Sequence, residues 1–360
     1  MFGALILSAV VFVPVPAGAA AGWERKADMP TARSNFGVAA LNGKVYVAGG
    51  YIEGSPDTVT DVVEVYDPGS NTWTTAAPLP GPRWAPVLVA VQGKLVLAGG
   101  ADAATSSSVV NTTFVYDPAQ DRWTIASPMP EARVWASGIS VGGDAEVWCG
   151  AGPFPSSSTN TRFAYDVGTD TWTVRQSLPM SLTNFGLATV GQTAYTTGGW
   201  RNYPNVVSIQ LPTGTWQEVS PMLKGRGAHA SAELDGLVYA IAGVTADTTE
   251  DSPSRTVEAY SPGNDTWFRV ADYPEPAQSL GAVRVGTTLY AMGGTISTAS
   301  LRSMYALAGA AVPPNPPTSQ PWALIGIAVA VGLALILTVV VMLLRSRRGA
   351  PPPSGPPRPA

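Results

Sequence analysis

The chain has 360 residues, 13% of them charged, with 21 Lys and Arg against 25 Asp and Glu and a formal net charge of −4. That balance excludes the basic footprint of a nucleic-acid-binding protein. A single histidine, His229, excludes a multi-histidine metal centre, and a single cysteine, Cys149, excludes an internal disulfide framework.

Residues 1–21 hold an apolar stretch, Ala4 to Val13, followed by Ala17, Ala19 and Ala21 at small-x-small spacing. This predicts a signal peptide, although no Lys or Arg precedes the apolar stretch; a retained N-terminal anchor is the alternative. From residue 22 to 308 one unit recurs at steps of roughly 50 residues, the mark of a repeat architecture. Glycine doublets or their remnants stand at Gly49-Gly50, Gly99-Gly100, Gly150-Ala151, Gly198-Gly199, Ala242-Gly243 and Gly293-Gly294. Tryptophans stand at Trp23, Trp73, Trp123, Trp172, Trp216 and Trp267.

Within the first full unit, Ser34 to Leu41 is small and apolar and predicts a strand buried on both faces. Asn42-Gly43 is a hairpin signal, because a type I′ turn needs positive φ at both central residues. Lys44 to Ala48 predicts a second strand, Val62 to Tyr66 a third, and Trp73 sits on a fourth. The intervening Asp67-Pro68-Gly69-Ser70-Asn71 is a turn in which Asp and Asn are expected to bond their own backbone. Tyr66, Tyr116, Tyr165 and Tyr260 each precede a Trp by seven residues, and Ile209 takes that slot before Trp216. Ten residues after Trp come Arg33, Arg83, Arg133 and Arg226, with Leu182 in the slot after Trp172.

These landmarks resemble the kelch repeat: a Gly-Gly doublet after the second strand, then Tyr-Asp-Pro, then Trp on the fourth strand. The resemblance covers residues 22–308 and implies an all-β fold, a six-bladed β-propeller of four-stranded antiparallel blades. Ala151, Ala242, Val167 and Ile209-Gln210-Leu211 depart from the pattern. Trp23 lacks preceding strands and the last repeat lacks a closing Trp, so the N-terminal strand is expected to complete the final blade and hide its open edge.

Residues 309–321 form a Pro-rich spacer. Residues 322–344 predict one transmembrane helix: Ala323 to Leu344 carries no charge, Trp322 marks one border, and Arg345, Arg347 and Arg348 mark the cytoplasmic one. Residues 345–360 are an Arg/Pro-rich cytoplasmic tail. All acidic residues precede the span, so the outer part is more acidic than the whole chain. The expected location is the cell membrane, single-pass, with the propeller outside. Asn111-Thr112-Thr113 and Asn264-Asp265-Thr266 are glycosylation sequons. Cys149 is expected to be a buried, inert thiol.

A meander puts the four-to-one and two-to-three loops at one end of the ring, the loop end, and the tight hairpins at the other. The loop end carries the long aromatic segments and is the candidate binding face. In kelch proteins that bind anionic ligands, arginines at the matching slot look inward over the channel mouth. The resemblance implies that role for Arg33, Arg83, Arg133 and Arg226; the alternative is that they brace loops. Asn35, Trp84, Trp135, Asn184 and His229 are their neighbours, and Tyr51, Trp200 and Tyr203 come from the two-to-three loops. Arginine forks grip carboxylates and exposed aromatics stack on sugars. The strand Trp and Tyr residues are expected to pack blade against blade.

No cofactor, no metal site and no catalytic residue is assigned. The expected function is a membrane-anchored extracellular binding module for a carbohydrate, glycan or protein partner, an anionic ligand among them. One enzyme class remains as an alternative from the resemblance, a metal-free sugar-acid epimerase or lyase. A purely structural surface module is the other.

Overall fold

The computed structural model describes residues 22–309 apart from 55–57, 106, 154–157, 201–202, 213 and 246–251. The signal peptide, the spacer from 310, the span at 322–344 and the tail lie outside the described residues. Among the described residues no helix is long and apolar enough to cross a membrane.

Six four-stranded antiparallel sheets form the ring. Blade 1 is Gly37–Leu41, Lys44–Ala48, Val63–Asp67 and Thr72–Ala76, from the axis outwards. Blade 2 is Val87–Val91, Lys94–Ala98, Thr113–Asp117 and Arg122–Ala126, and blade 3 is Ser137–Val141, Asp144–Trp148, Arg162–Asp166 and Thr171–Arg175. Blade 4 is Gly186–Val190, Thr193–Thr197, Val206–Gln210 and Trp216–Val219; blade 5 is Ala230–Leu234, Leu237–Ile241, Val257–Ser261 and Thr266–Arg269. Blade 6 takes Gly281–Val285, Thr288–Met292 and Met304–Ala308 from the end of the propeller and Trp23–Arg25 from its start. Trp23 stands opposite Leu307 in that pairing, the register Trp73 keeps with Tyr66. The first strands touch their neighbours in ring order, blade 6 against blade 1 included.

The innermost strand is not buried on both faces as its composition suggests. In blade 1, Ala39 and Leu41 are buried while Val38 and Ala40 are half-buried and line the axial channel. Small side chains here reflect the narrowing of six sheets towards one axis. The core is divided among six seams, one between each pair of blades. Tyr46, Leu79, Leu95, Tyr116 and Trp123 fill the seam of blades 1 and 2, and Trp148, Leu187, Ile209 and Trp216 that of blades 3 and 4.

Each seam is also bonded. Trp73 Nε1 donates to the Ala27 carbonyl of the preceding blade at 2.9 Å, and Asn71 Oδ1 accepts the Ala27 N–H at 2.9 Å. One peptide residue is thus held at both its polar ends by the next blade. The same double clamp joins Trp123 and Asp121 to Ala77, Trp172 and Asp170 to Ser127, and Trp267 and Asp265 to Ser220. The aspartate or asparagine oxygen also accepts the Tyr hydroxyl of its own blade, at 2.6–2.8 Å. The expected turn role of these residues is therefore corrected: Asp67 caps its own turn through Gly69 N–H, but Asn71 reaches the neighbouring blade. Trp216 and Trp23 keep only the indole half, to Ser177 and Ala271. Gly214 stands where blade 4 would need the Asx, with Ile209 in the Tyr slot.

Glycines follow from the approach of the next loop. The Gly50 N–H donates to the Arg83 carbonyl at 2.7 Å, and Gly100, Gly150, Gly199, Gly243 and Gly294 do the same to the matching residue of the next loop. A Cβ on Gly99 would lie 2.5 Å from the Arg133 carbonyl oxygen. This pattern corrects the third doublet by one residue. It is Cys149-Gly150, with Cys149 in the first-glycine slot at φ 57, as Ala242 is at φ 58.

Removal of residues 22–27 strips the closing strand from blade 6 and the Ala27 acceptor from Trp73. The truncated chain should melt at a lower temperature and aggregate through its open edge. Trp23→Ala alone should cost about 2–4 kcal/mol in a denaturant titration. A truncated chain with the parent's solubility and melting temperature would contradict closure.

Candidate ligand site at the loop end of the channel

The axial channel comprises cavities of about 110, 220 and 300 Å³ in order from loop end to hairpin end. At the loop end its rim is made by one residue from each blade's entry: Asn35, Ala85, Trp135, Asn184, Ala228 and Ser279. All six hold left-handed backbone, φ 48 to 55. Each occupies the position two residues after the Arg slot, where the chain turns from loop into innermost strand. Their peptides form a belt around the axis. Asn35 N–H donates to Ser279 C=O, Ala85 to Asn35, Asn184 to Trp135, Ala228 to Asn184 and Ser279 to Ala228, at 2.7–3.1 Å.

The rim brings together four residues singled out from the sequence: Asn35, Trp135, Asn184 and His229. Trp84 and Tyr51 stand beside it. Trp84 and Trp135 meet edge to face at 5.2 Å, and Tyr51 and Trp84 are tilted at 6.2 Å, so three rings run outward from the mouth. Trp200 and Tyr203 are elsewhere, on the blade 4 loop, 52% and 45% exposed.

The four arginines do not face the mouth, which corrects the expectation drawn from the resemblance. Arg33 and Arg226 are fully buried, and Arg83 and Arg133 are 6% and 4% exposed. Arg33 donates to the Gly49 and Val62 carbonyls at 2.9 and 2.8 Å and pairs with Glu64. Arg226 does the same with Ala242, Thr256 and Glu258. In blades 2 and 3 an aromatic ring takes the strand position of that glutamate: Arg83 lies 4.7 Å over Phe114 and Arg133 5.5 Å over Phe163, and Arg133 pairs instead with Glu131 of its own entry loop. Arg83 and Arg133 also donate to Thr112 Oγ1 and Thr161 Oγ1. In blade 4, Leu182 occupies the slot and Val207 the facing position. Each arginine thus bonds the preceding blade through its backbone and its own blade through its side chain. Burial pushes the Arg33 guanidinium below its ordinary value and Glu64 pulls it back. The carboxylates Glu64 and Glu258 are 1% exposed, so neither they nor their arginines are placed to meet a substrate as an epimerase would require.

His229 is 6% exposed, and its Nε2 lies 2.9 Å from Thr197 Oγ1, which in turn lies 2.8 Å from Ser231 Oγ. Burial first, then Arg226, push its pKa down to about 3. The ring is neutral at physiological pH. Cys149 is buried and its thiol is pushed up to about 12, chiefly by burial, so it is not a thiolate. The sequence did not disclose a buried pair in blade 3: Arg162 bonds Glu146 at 2.7 Å and lies 4.2 Å over Trp148, whose Nε1 also donates to Glu146.

Kelch motif models match residues 32–80, 85–130 and 225–272, which are blades 1, 2 and 5 with their entry loops. The chain is a kelch-repeat β-propeller. Each matched blade keeps both the Tyr and the arginine, as blade 3 does with Tyr165 and Arg133. Among similar proteins, the kelch repeat and BTB domain-containing protein 2 of Ectromelia virus is 31% identical over 32% of this chain and 20% of its own length. Human Kelch-like protein 25 is 33% identical over 31% of this chain and 20% of its own length. The kelch chain therefore spans about a fifth of the length of the curated relatives it matches. The solved structure of YjhT aligns with a TM-score of 0.68 at 15% identity, over 78% of this chain and 96% of that one, a likeness of fold alone.

Arg226→Ala leaves Glu258 buried without its partner and should cost about 3–5 kcal/mol by denaturant titration. Arg83→Met, which removes a cation from a ring with no carboxylate, should cost about 1–2 kcal/mol. Equal losses would contradict the ion-pair assignment. His229 supplies a pH test. The unfolded chain takes up a proton at the ordinary value of 6.5 and the folded chain only near 3. More protons are bound by the unfolded state in that window, so stability falls as pH drops through it. Melting temperature against pH should decline between 6.5 and 3, and His229→Gln should flatten part of that decline.

Proposed function

We propose that this kelch propeller is a cell-surface interaction module, anchored by the single span at 322–344 and recognising a protein partner through its loop end. Kelch propellers serve in general as protein-interaction modules. The observation that carries the choice of surface is an apolar patch. Among the described residues five large apolar side chains are exposed, and Trp200, Tyr203 and Leu223 at 52%, 45% and 56% share two neighbouring loops. Those loops are tied by Met222 N–H to the Pro204 carbonyl at 2.9 Å. Aromatic and aliphatic anchors displayed together are what interface hot spots are made of. The anchor reading is supported by the uncharged run Ala323 to Leu344 and the arginines after it. The last described strand, Met304–Ala308, runs towards the hairpin end.

Protease added to intact cells should cut within 309–321 and spare an epitope tag after Ala360. Photo-crosslinkers at Trp200 and Leu223 should give a discrete adduct, and ones at Asn42 and Gln92 on the hairpin end should not. Leu223→Asp with Trp200→Asp should weaken the captured partner's binding by about 2 kcal/mol or more. A tail cut from outside would refute the topology, and equal adducts from both ends would refute the surface.

A further inference from the structure

The belt of peptides around the channel mouth is open at one place. Five of its six blade boundaries carry an N–H to C=O bond; between blades 2 and 3, Trp135 N–H makes no bond to Ala85 C=O, and neither group has another partner among the described residues. A donor and an acceptor are therefore both unused at one point of the rim. A hydroxyl group satisfies both at once, because it accepts with a lone pair and donates with its hydrogen. A lone amide N–H or a carboxylate satisfies only one of them.

The side chains around the gap extend that chemistry. Trp135 is half-buried at the same point and Asn184 stands on the adjoining blade, its side-chain amide without a partner among the described residues. Ser279 and Asn35 lie across the mouth, the Asn35 amide bonded only to the Ser34 hydroxyl at 3.2 Å. No Asp, Glu, Lys or Arg lines this cavity. Indole faces stack on the C–H faces of sugar rings, and neutral amides and hydroxyls bond their hydroxyl groups.

We propose that the loop-end mouth is a binding site for a neutral saccharide. One sugar ring stacks on Trp135, a hydroxyl bridges Trp135 N–H and Ala85 C=O, and Asn184 and Asn35 bond the ring's other hydroxyls. Trp84 and Tyr51 continue the aromatic row outward for further units of a chain. The proposal excludes an anionic sugar as the preferred ligand, since the four arginines that would recognise one are buried in their own blades. Trp200, Tyr203 and Leu223 do not line this mouth, so the site stands or falls apart from the protein-partner surface.

The test uses the full chain in a detergent without a sugar headgroup. Cellotriose, maltotriose and chitotriose are titrated calorimetrically, with N-acetylneuraminic acid and galacturonic acid as anionic counterparts. At least one neutral oligosaccharide should bind, with affinity unchanged between low and high salt and with a shift in indole fluorescence. Trp135→Gly, which keeps the positive φ and removes the ring, should weaken binding about tenfold or more. Asn184→Gly should weaken it severalfold by the same logic, and serves if the first variant melts too low to titrate. The proposal is overturned if no neutral sugar binds to chain with an intact melting transition. It is equally overturned if both variants bind as the parent does, or if only the anionic sugars bind and salt abolishes that binding.

Discussion

A propeller has no sheet in common between its blades, so nothing continuous holds the ring except what crosses the seams. In this chain the crossing is made at one residue per blade, whose C=O takes the next blade's indole at all six seams and whose N–H is also bonded at four of them, as Ala27 is by Trp73 and Asn71. The rest of the arrangement depends on that constraint. The Asx must adopt positive φ to turn its oxygen outward, 46 to 53 at Asn71, Asp121, Asp170 and Asp265. The Tyr hydroxyl then fixes the oxygen from within the blade. Burial raises the Tyr pKa at each site, and the hydrogen bonds lower that of Asp121 and Asp170. Nearer the axis the glycine N–H and the next loop's carbonyl make the same kind of join. Disulfides are not needed when every seam is bonded on two radii and filled with apolar side chains between.

The arginine slot is tied to the same problem. Beside the loop that enters blade 1, the Gly49 and Val62 carbonyls both accept from one guanidinium, Val62 in addition to the Gly49 N–H. The arginine's remaining charge must be met, by Glu64 or Glu258 in blades 1 and 5, by the Phe114 face in blade 2 and by the Phe163 face with Glu131 in blade 3. Where Leu182 removes the cation, Val207 removes its counterpart. The consequence for function is that the mouth is lined by amides, hydroxyls and indole, and its chemistry is that of a neutral rim.

The repeat spacing made the fold legible: six Trp, the Tyr seven residues before, and an unpaired strand at each end specify blades and closure without ambiguity. The glycine register was less secure, because Gly150 fits either position of a doublet and Cys149 does not announce a positive φ. The rim was illegible for the same reason. Ala85, Trp135 and Ala228 are not residue types that signal left-handed backbone, and only the ring imposes it on them. The orientation of the arginines could have been read, since Glu64 and Glu258 lie two residues before Tyr66 and Tyr260 in the same register as Phe114 and Phe163. That correlation runs across repeats, and one repeat taken alone does not show it. The Asx clamp joins residues some 45 positions apart, beyond any local pattern.

Cys149 acquires a further significance from its place. It packs with Leu182, Ile209 and Trp216 in the seam of blades 3 and 4. That seam holds its peptide by the indole of Trp216 alone, with Arg162 stacked on Trp148 in place of an Asx. The sole thiol of the chain is therefore sealed behind the boundary that is fastened differently from its neighbours. Its alkylation rate in native buffer is set by how often that boundary parts. The protein carries its own reporter of breathing at one of the two seams clamped by an indole alone, readable without introducing a label.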